Sequence, residues 1–216
     1  RVEQWVKNLF VFTPLFFSGN VTHVDLTLKS IFAFLVFSFT ASSIYILNDY
    51  TDIESDKKHP EKSKRPLASG AISKTAAKII FVLLILSVVL LVFFGGDYFQ
   101  RNFTKFSIII ASYFFMNIAY TFKLKHVAII DVCIIALGFV LRVLAGGYAT
   151  GIVVSQWAIL LTFVLALVLA IGKRRGELIN AEISGKTRKA LDGYNVQFAE
   201  IALSISVTLA IVCYLM

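Results

Sequence analysis

Seven apolar stretches occupy most of this 216-residue chain, at roughly 2–19, 30–52, 76–94, 106–122, 127–149, 157–171 and 198–216. Crossing a bilayer core takes about 20 apolar residues in a helix, and a helix satisfies its own backbone N–H and C=O groups where no water is present. The chain is therefore read as an all-α, polytopic transmembrane helical bundle with about seven spans. Hydrophobic residues make up 58% of it, including 20 Phe, above the apolar share of an ordinary soluble domain. The first stretch is the weakest, because Lys7, Asn8 and Pro14 interrupt it. Cys133 and Cys213 fall inside predicted spans and read as small buried apolar residues, with no disulfide or zinc role. No separate soluble domain or long linker is visible.

Charge orients the bundle. With loops assigned alternately to two sides, one side collects 17 Lys and Arg and the other only Lys29, Arg101 and Lys105. Such asymmetry places the basic side in the cytoplasm. The formal charge of +8 is explained by topology and needs no nucleic acid. The chain is expected in the cytoplasmic (inner) membrane.

The end of the second stretch carries Asn48, Asp49, Asp52 and Asp56. Asn48, Asp52 and Asp56 are spaced i, i+4, i+8 and share a helix face, with Asp49 beside them. Carboxylates at a membrane helix end are costly. Mg²⁺ offsets that cost, since it takes a few carboxylates together with the oxygens of a substrate phosphate. Seven bases follow: Lys57, Lys58, Lys62, Lys64, Arg65, Lys74 and Lys78. Pro60 and Pro66 keep this loop out of helix. Lys62 and Arg65 are the phosphate candidates, Arg65 foremost because guanidinium grips phosphate bidentately. Lys57, Lys58, Lys74 and Lys78 read as topology-setting charges, and His59 as structural. Acid for metal followed by base for phosphate points to a diphosphate substrate.

Four segments carry a resemblance. Residues 48–70, NDYTDIESDKKHPEKSKRPLASG, look like the first signature of the UbiA-type intramembrane prenyltransferase superfamily. Residues 1–19 (RVEQWVKNLFVFTPLFFSG), 130–147 (IDVCIIALGFVLRVLAGG) and 172–178 (GKRRGEL) are similar to one branch of it, the decaprenyl-phosphate phosphoribosyltransferases. The resemblance implies one UbiA-like transmembrane domain over 1–216, built around a cavity with a polar cytoplasmic mouth. It implies nine spans in an intact protein, so two C-terminal helices are expected beyond these seven. The chain lacks an initiator Met and stops inside an apolar stretch, which fits that expectation.

The resemblance also implies chemistry: Mg²⁺-dependent transfer of 5-phosphoribose from phosphoribosyl diphosphate to a polyprenyl phosphate. Members of the superfamily typically carry a second aspartate-rich motif for a second Mg²⁺. Here residues 172–178 hold Lys173, Arg174 and Arg175 around the single acid Glu177. Such a loop favours direct phosphate binding over a carboxylate metal site, and the 5-phosphate of the donor accounts for it. Lys173, Arg174 and Glu177 are assigned to the donor, while Lys186, Arg188 and Lys189 face solvent or headgroups. Lys7, Asn8, Tyr120 and Lys123 are substrate-binding candidates, the bases Lys7 and Lys123 for the lipid phosphate, with Lys123 favoured over Lys125. Arg142, deep in a span and three turns from Asp131, is either a substrate contact or half of a structural pair. Gly138, Gly146 and Gly147 allow close helix packing. Two other functions fit the pattern less well. One is prenyl transfer from a prenyl diphosphate to an aromatic acceptor, which the basic loop disfavours. The other is a transport or lipid-binding role, which leaves the aspartates without a purpose.

Overall fold

The structure is a computed structural model describing residues 2–58, 60, 62–99, 102–184 and 193–216, with the side chains of all of these but 97–99 and 182–184. Arg1, His59, Arg101, Lys186, Arg188 and Lys189 lie outside the described residues. The described chain is helical. A 3₁₀ helix, Val2–Phe12, runs into α1 (Thr13–Phe17), followed by α2 (Val24–Thr51), α3 (Ile53–Lys57), α4 (Lys74–Phe99), α5 (Phe103–Phe122), α6 (Ile130–Thr150), α7 (Gln156–Ser184) and α8 (Val196–Leu215). Among the described residues, six helices are long and apolar enough to cross a membrane: α2 and α4 to α8. The protein is an integral membrane protein.

The opening segment differs from the α-helical span that its composition suggests. Rising roughly 2.0 Å per residue in the 3₁₀ part and roughly 1.5 Å in α1, it extends about 30 Å, the thickness of a hydrocarbon core. The 3₁₀ period aligns residues three apart. Trp5, Asn8, Val11 and Pro14 are spaced in that way, and Asn8, Val11 and Pro14 are buried. Trp5 Nε1 donates to Ser42 Oγ of α2 at 3.0 Å. The Val11 carbonyl presses on Gly146 of α6, where an added Cβ would lie 1.8 Å from that oxygen. Gly147 is next tightest, with Val154 Cγ2 of the loop after α6 2.7 Å from an added Cβ. The expected close packing is thus found at Gly146 against the opening segment and at Gly147 against that loop, while at Gly138 the nearest atoms, from 3.4 Å, are in ordinary contact.

α6 is the hub. Of its most apolar 18-residue window 61% is buried, against 11% for α4. It packs on α2, α5, α7 and the opening segment, whereas α4 rests mainly on α2. One core cluster joins α2, α5 and α6 around Phe37, Phe106 and Tyr113. A second joins the start of α6 to α7 and α8 through Val132, Ala170, Ile171, Tyr194 and Ala199. Cys133 and Cys213 are unpaired.

Candidate active site

The acidic motif straddles the junction of α2 and α3. Asp52 sits between them at φ −99°, ψ 7°. Helical hydrogen bonding nevertheless passes through it: the Asp52 N–H donates to the Asn48 carbonyl at 3.0 Å, and the Asp56 N–H to the Asp52 carbonyl at 2.8 Å. Asp49 and Asp56, two turns apart, are both buried. A charge there requires a partner, and the following loop supplies it. Arg65 Nη1 donates to Asp56 Oδ2 at 2.6 Å and to Asp49 Oδ1 at 3.3 Å. The loop holds Arg65 in place by its backbone, since the Arg65 N–H bonds the Lys62 carbonyl at 3.0 Å and the Ser69 N–H bonds the Arg65 carbonyl at 2.8 Å.

Asp52 turns to a different partner. Lys125, in the α5–α6 connection, donates to its Oδ1 at 2.7 Å. The sequence favoured Lys123, yet Lys123 is exposed and Lys125 reaches the motif. Nothing in the spacing of two lysines two residues apart distinguishes them.

A second polar group lies at the same end of the bundle. Asp131, in the first turn of α6, is 1% exposed. Its Oδ2 accepts from Arg174 Nε of α7 at 2.8 Å, and its Oδ1 from the Tyr194 hydroxyl at 2.5 Å. Arg174 Nη1 also donates to Glu177 Oε2 at 2.7 Å. Tyr120, at the end of α5, is close enough to feel the charges of Arg174, Asp131 and Glu177. Burial, and then donation to the Asp131 carboxylate, pushes the Tyr194 phenol well above its ordinary range. Of the other bases in this segment, Arg175 pairs with Glu200 of α8 at 2.8 Å and Lys173 is exposed. The sequence assigned Asp131 no part in this group and overlooked Tyr194.

Arg142 lies elsewhere, in the middle of α6. Its Nε donates to Asn8 Oδ1 at 2.9 Å, Nη1 to the Gly138 carbonyl at 2.7 Å and Nη2 to the Tyr113 hydroxyl at 3.0 Å. The rings of Phe37 and Phe139 flank it at 5.0 and 5.3 Å. Asn8 also donates to Ser38 at 3.0 Å. These bonds tie the opening segment to α2, α5 and α6. Lys7, next to Asn8, lies on an exposed face. The 3₁₀ helix thus parts two residues that the sequence offered together as substrate-binding candidates.

A cavity of about 300 Å³ between α2 and α4 is lined by Asp49 together with Pro66 and Leu67 of the loop. A largely apolar cleft of about 520 Å³, with Thr40 and Ser107 on its wall, lies between α2, α4 and α5.

Among the described residues, no three His, Cys, Asp or Glu side chains converge as a ready cation site. The donor set still fits Mg²⁺ by its chemistry: three carboxylates and the Asn48 amide are hard oxygen donors. Each carboxylate is balanced by Arg65 or Lys125, groups that also serve a phosphate.

Residues 9–175 match the UbiA prenyltransferase family. A decaprenyl-phosphate phosphoribosyltransferase of Mycolicibacterium smegmatis is 37% identical over 99% of this chain and 67% of its own length. Another of that name from Mycobacterium tuberculosis is 35% identical over 99% of this chain and 70% of its own. A UbiA homolog from Archaeoglobus fulgidus, solved with GPP and Mg²⁺, superposes with a TM-score of 0.71 at 20% identity, covering 97% of this chain and 71% of that one.

Proposed function

Because the chain belongs to the UbiA prenyltransferase family and is a transferase, we propose that it moves 5-phosphoribose from phosphoribosyl diphosphate to a polyprenyl phosphate, releasing pyrophosphate. The observation that carries this reading is the charge pattern at one end of the bundle. Three carboxylates at the α2–α3 junction are matched to Arg65 and Lys125, and a separately anchored guanidinium, Arg174, stands where a second carboxylate motif would otherwise be expected. The near-full-length likeness to relatives of the phosphoribosyltransferase name supports it.

In this reading Asn48, Asp49, Asp52 and Asp56 hold Mg²⁺, which supplies positive charge against the departing diphosphate. Arg65 and Lys62 bind diphosphate oxygens, and Lys125 holds Asp52 in place. Arg174, with Glu177, Tyr120 and Lys173 around it, receives the 5-phosphate. Lys7 and Lys123 serve the phosphate of the lipid acceptor, whose tail stays in the bilayer. The C1–O bond to the diphosphate breaks, positive charge develops at C1, and an oxygen of the lipid phosphate forms the new bond. That oxygen is already anionic, so no general base is required. Arg142 and Asn8, bonded to each other and to the bundle, are left to packing.

Pyrophosphate release by the purified protein tests the reading. It is expected only when both phosphoribosyl diphosphate and polyprenyl phosphate are present. Prenylation of 4-hydroxybenzoate without use of phosphoribosyl diphosphate would leave the family and remove the donor.

The excess of basic residues at this end supports a site on the cytoplasmic face of the inner membrane. In cells, Ser63→Cys in a protein lacking Cys133 and Cys213 should resist an impermeant thiol reagent, and Val153→Cys should react. Labelling of position 63 from outside would reverse the orientation.

A further inference from the structure

Among the described residues, Ile129 is the one non-glycine with a positive φ, at 70°. A β-branched residue in that region is an outlier, and such backbone persists only where its surroundings hold it. The Ile130 N–H donates to the Ala128 carbonyl at 2.8 Å. This closes a three-residue γ-turn of the rare, positive-φ kind, directly before the first turn of α6. The holding group is Tyr194. Its hydroxyl accepts from the Ile129 N–H at 2.6 Å and donates to Asp131 Oδ1 at 2.5 Å. The other Asp131 oxygen takes Arg174 Nε. Gly193, at φ 94°, lets Tyr194 come this close: an added Cβ would lie 3.0 Å from Ala128 Cβ.

We propose that Tyr194 and Asp131 are positioning residues that set the Arg174 guanidinium for a phosphate of the donor, with the Gly193–Tyr194 turn before α8 as the fastening. Carboxylates of α6 and α7 grip the guanidinium at Nε and Nη1. A guanidinium offers phosphate a planar fork, so the fork's direction is decided by what fixes the plane. One hydroxyl fixes both the turn that starts α6 and the carboxylate that it carries. Without it, the Asp131 carboxylate keeps the bond to the guanidinium it orients but loses the hydroxyl that anchors its other oxygen. This rests on the reading of Arg174 as a phosphate ligand.

Tyr194→Phe removes the hydroxyl and keeps the ring in its cluster. The KM for phosphoribosyl diphosphate is expected to rise roughly tenfold, with the KM for polyprenyl phosphate changed less than about twofold and the protein still eluting as wild type in detergent. In an Arg174→Ala background the same change should add nothing to the donor KM, because the two residues act as one unit. Gly193→Ala, which displaces the tyrosine without removing it, should reproduce the donor-specific rise. An unchanged donor KM in Tyr194→Phe, or an equal effect with and without Arg174, would overturn the proposal. Binding of ribose 5-phosphate, which carries the 5-phosphate without the diphosphate, to wild type, Tyr194→Phe, Arg174→Ala and the double variant separates this from the wider reading. Coupling in ribose 5-phosphate affinity without phosphoribosyl transfer sinks the transfer reading alone. Transfer without coupling sinks the positioning role alone.

Discussion

Asp52→Asn is expected to lower kcat by roughly 10²–10³-fold, the scale on which one charge-stabilising group of a transition state contributes. Fold and stability should be nearly unchanged. Asp52 is only partly buried and pairs with Lys125, itself 19% exposed. Pairs in that setting contribute about 1 kcal/mol or less. Asp52 is a cleaner probe than Asp56, which is buried against Arg65 and whose neutralisation would disturb folding as well. Turnover measured across a Mg²⁺ titration, with gel filtration as the folding control, checks this. Turnover at the wild-type level would remove Asp52 from the site.

Arg65→Ala is expected to act on stability first. Asp49 and Asp56 have side chains 9% and 3% exposed, and Arg65 bridges them. Removing one member of a buried ion pair costs about 3–5 kcal/mol, because the remaining charge stays buried and unpaired. Asp56 would be left this way, and Asp49 would lose its contact with the guanidinium. If they are where the cation binds, Mg²⁺ should restore part of the loss, since a ligand that binds only the folded state stabilises it. The thermal midpoint of Arg65→Ala should therefore rise with Mg²⁺ more steeply than that of the wild type. An equal or smaller response would place the ion elsewhere.

Much of this architecture is legible in the sequence, for a physical reason. Membrane helices must be apolar along their length, so α2 and α4 to α8 stand out as runs, and intramembrane polar residues stand out against them. The acidic motif and Arg65 are close in sequence, and a loop that cannot stay helical folds back over the helix before it. Long-range partners leave no such trace. Tyr194 and Asp131 are 63 positions apart and Arg142 and Asn8 are 134 apart; no periodicity links them. The opening segment is an intermediate case. Trp5, Asn8, Val11 and Pro14 carry a period of three that marks a 3₁₀ helix, but the apolar residues between them hide it. The choice between Lys123 and Lys125 turns on how the α5–α6 connection winds, which a 3₁₀ turn over Leu124–His126 decides.

The central claim is that an oxygen of the lipid phosphate forms the bond to ribose C1 while the lipid keeps its own phosphate. Polyprenyl phosphate carrying ¹⁸O in its phosphate group, incubated with phosphoribosyl diphosphate, Mg²⁺ and the purified protein, tests this by mass spectrometry of both phases. The expected result is a lipid product heavier by one phosphoribosyl group that retains all of the ¹⁸O, with none in the pyrophosphate released. Loss of ¹⁸O phosphate to the aqueous phase would show that the prenyl group itself is transferred, and would contradict the account.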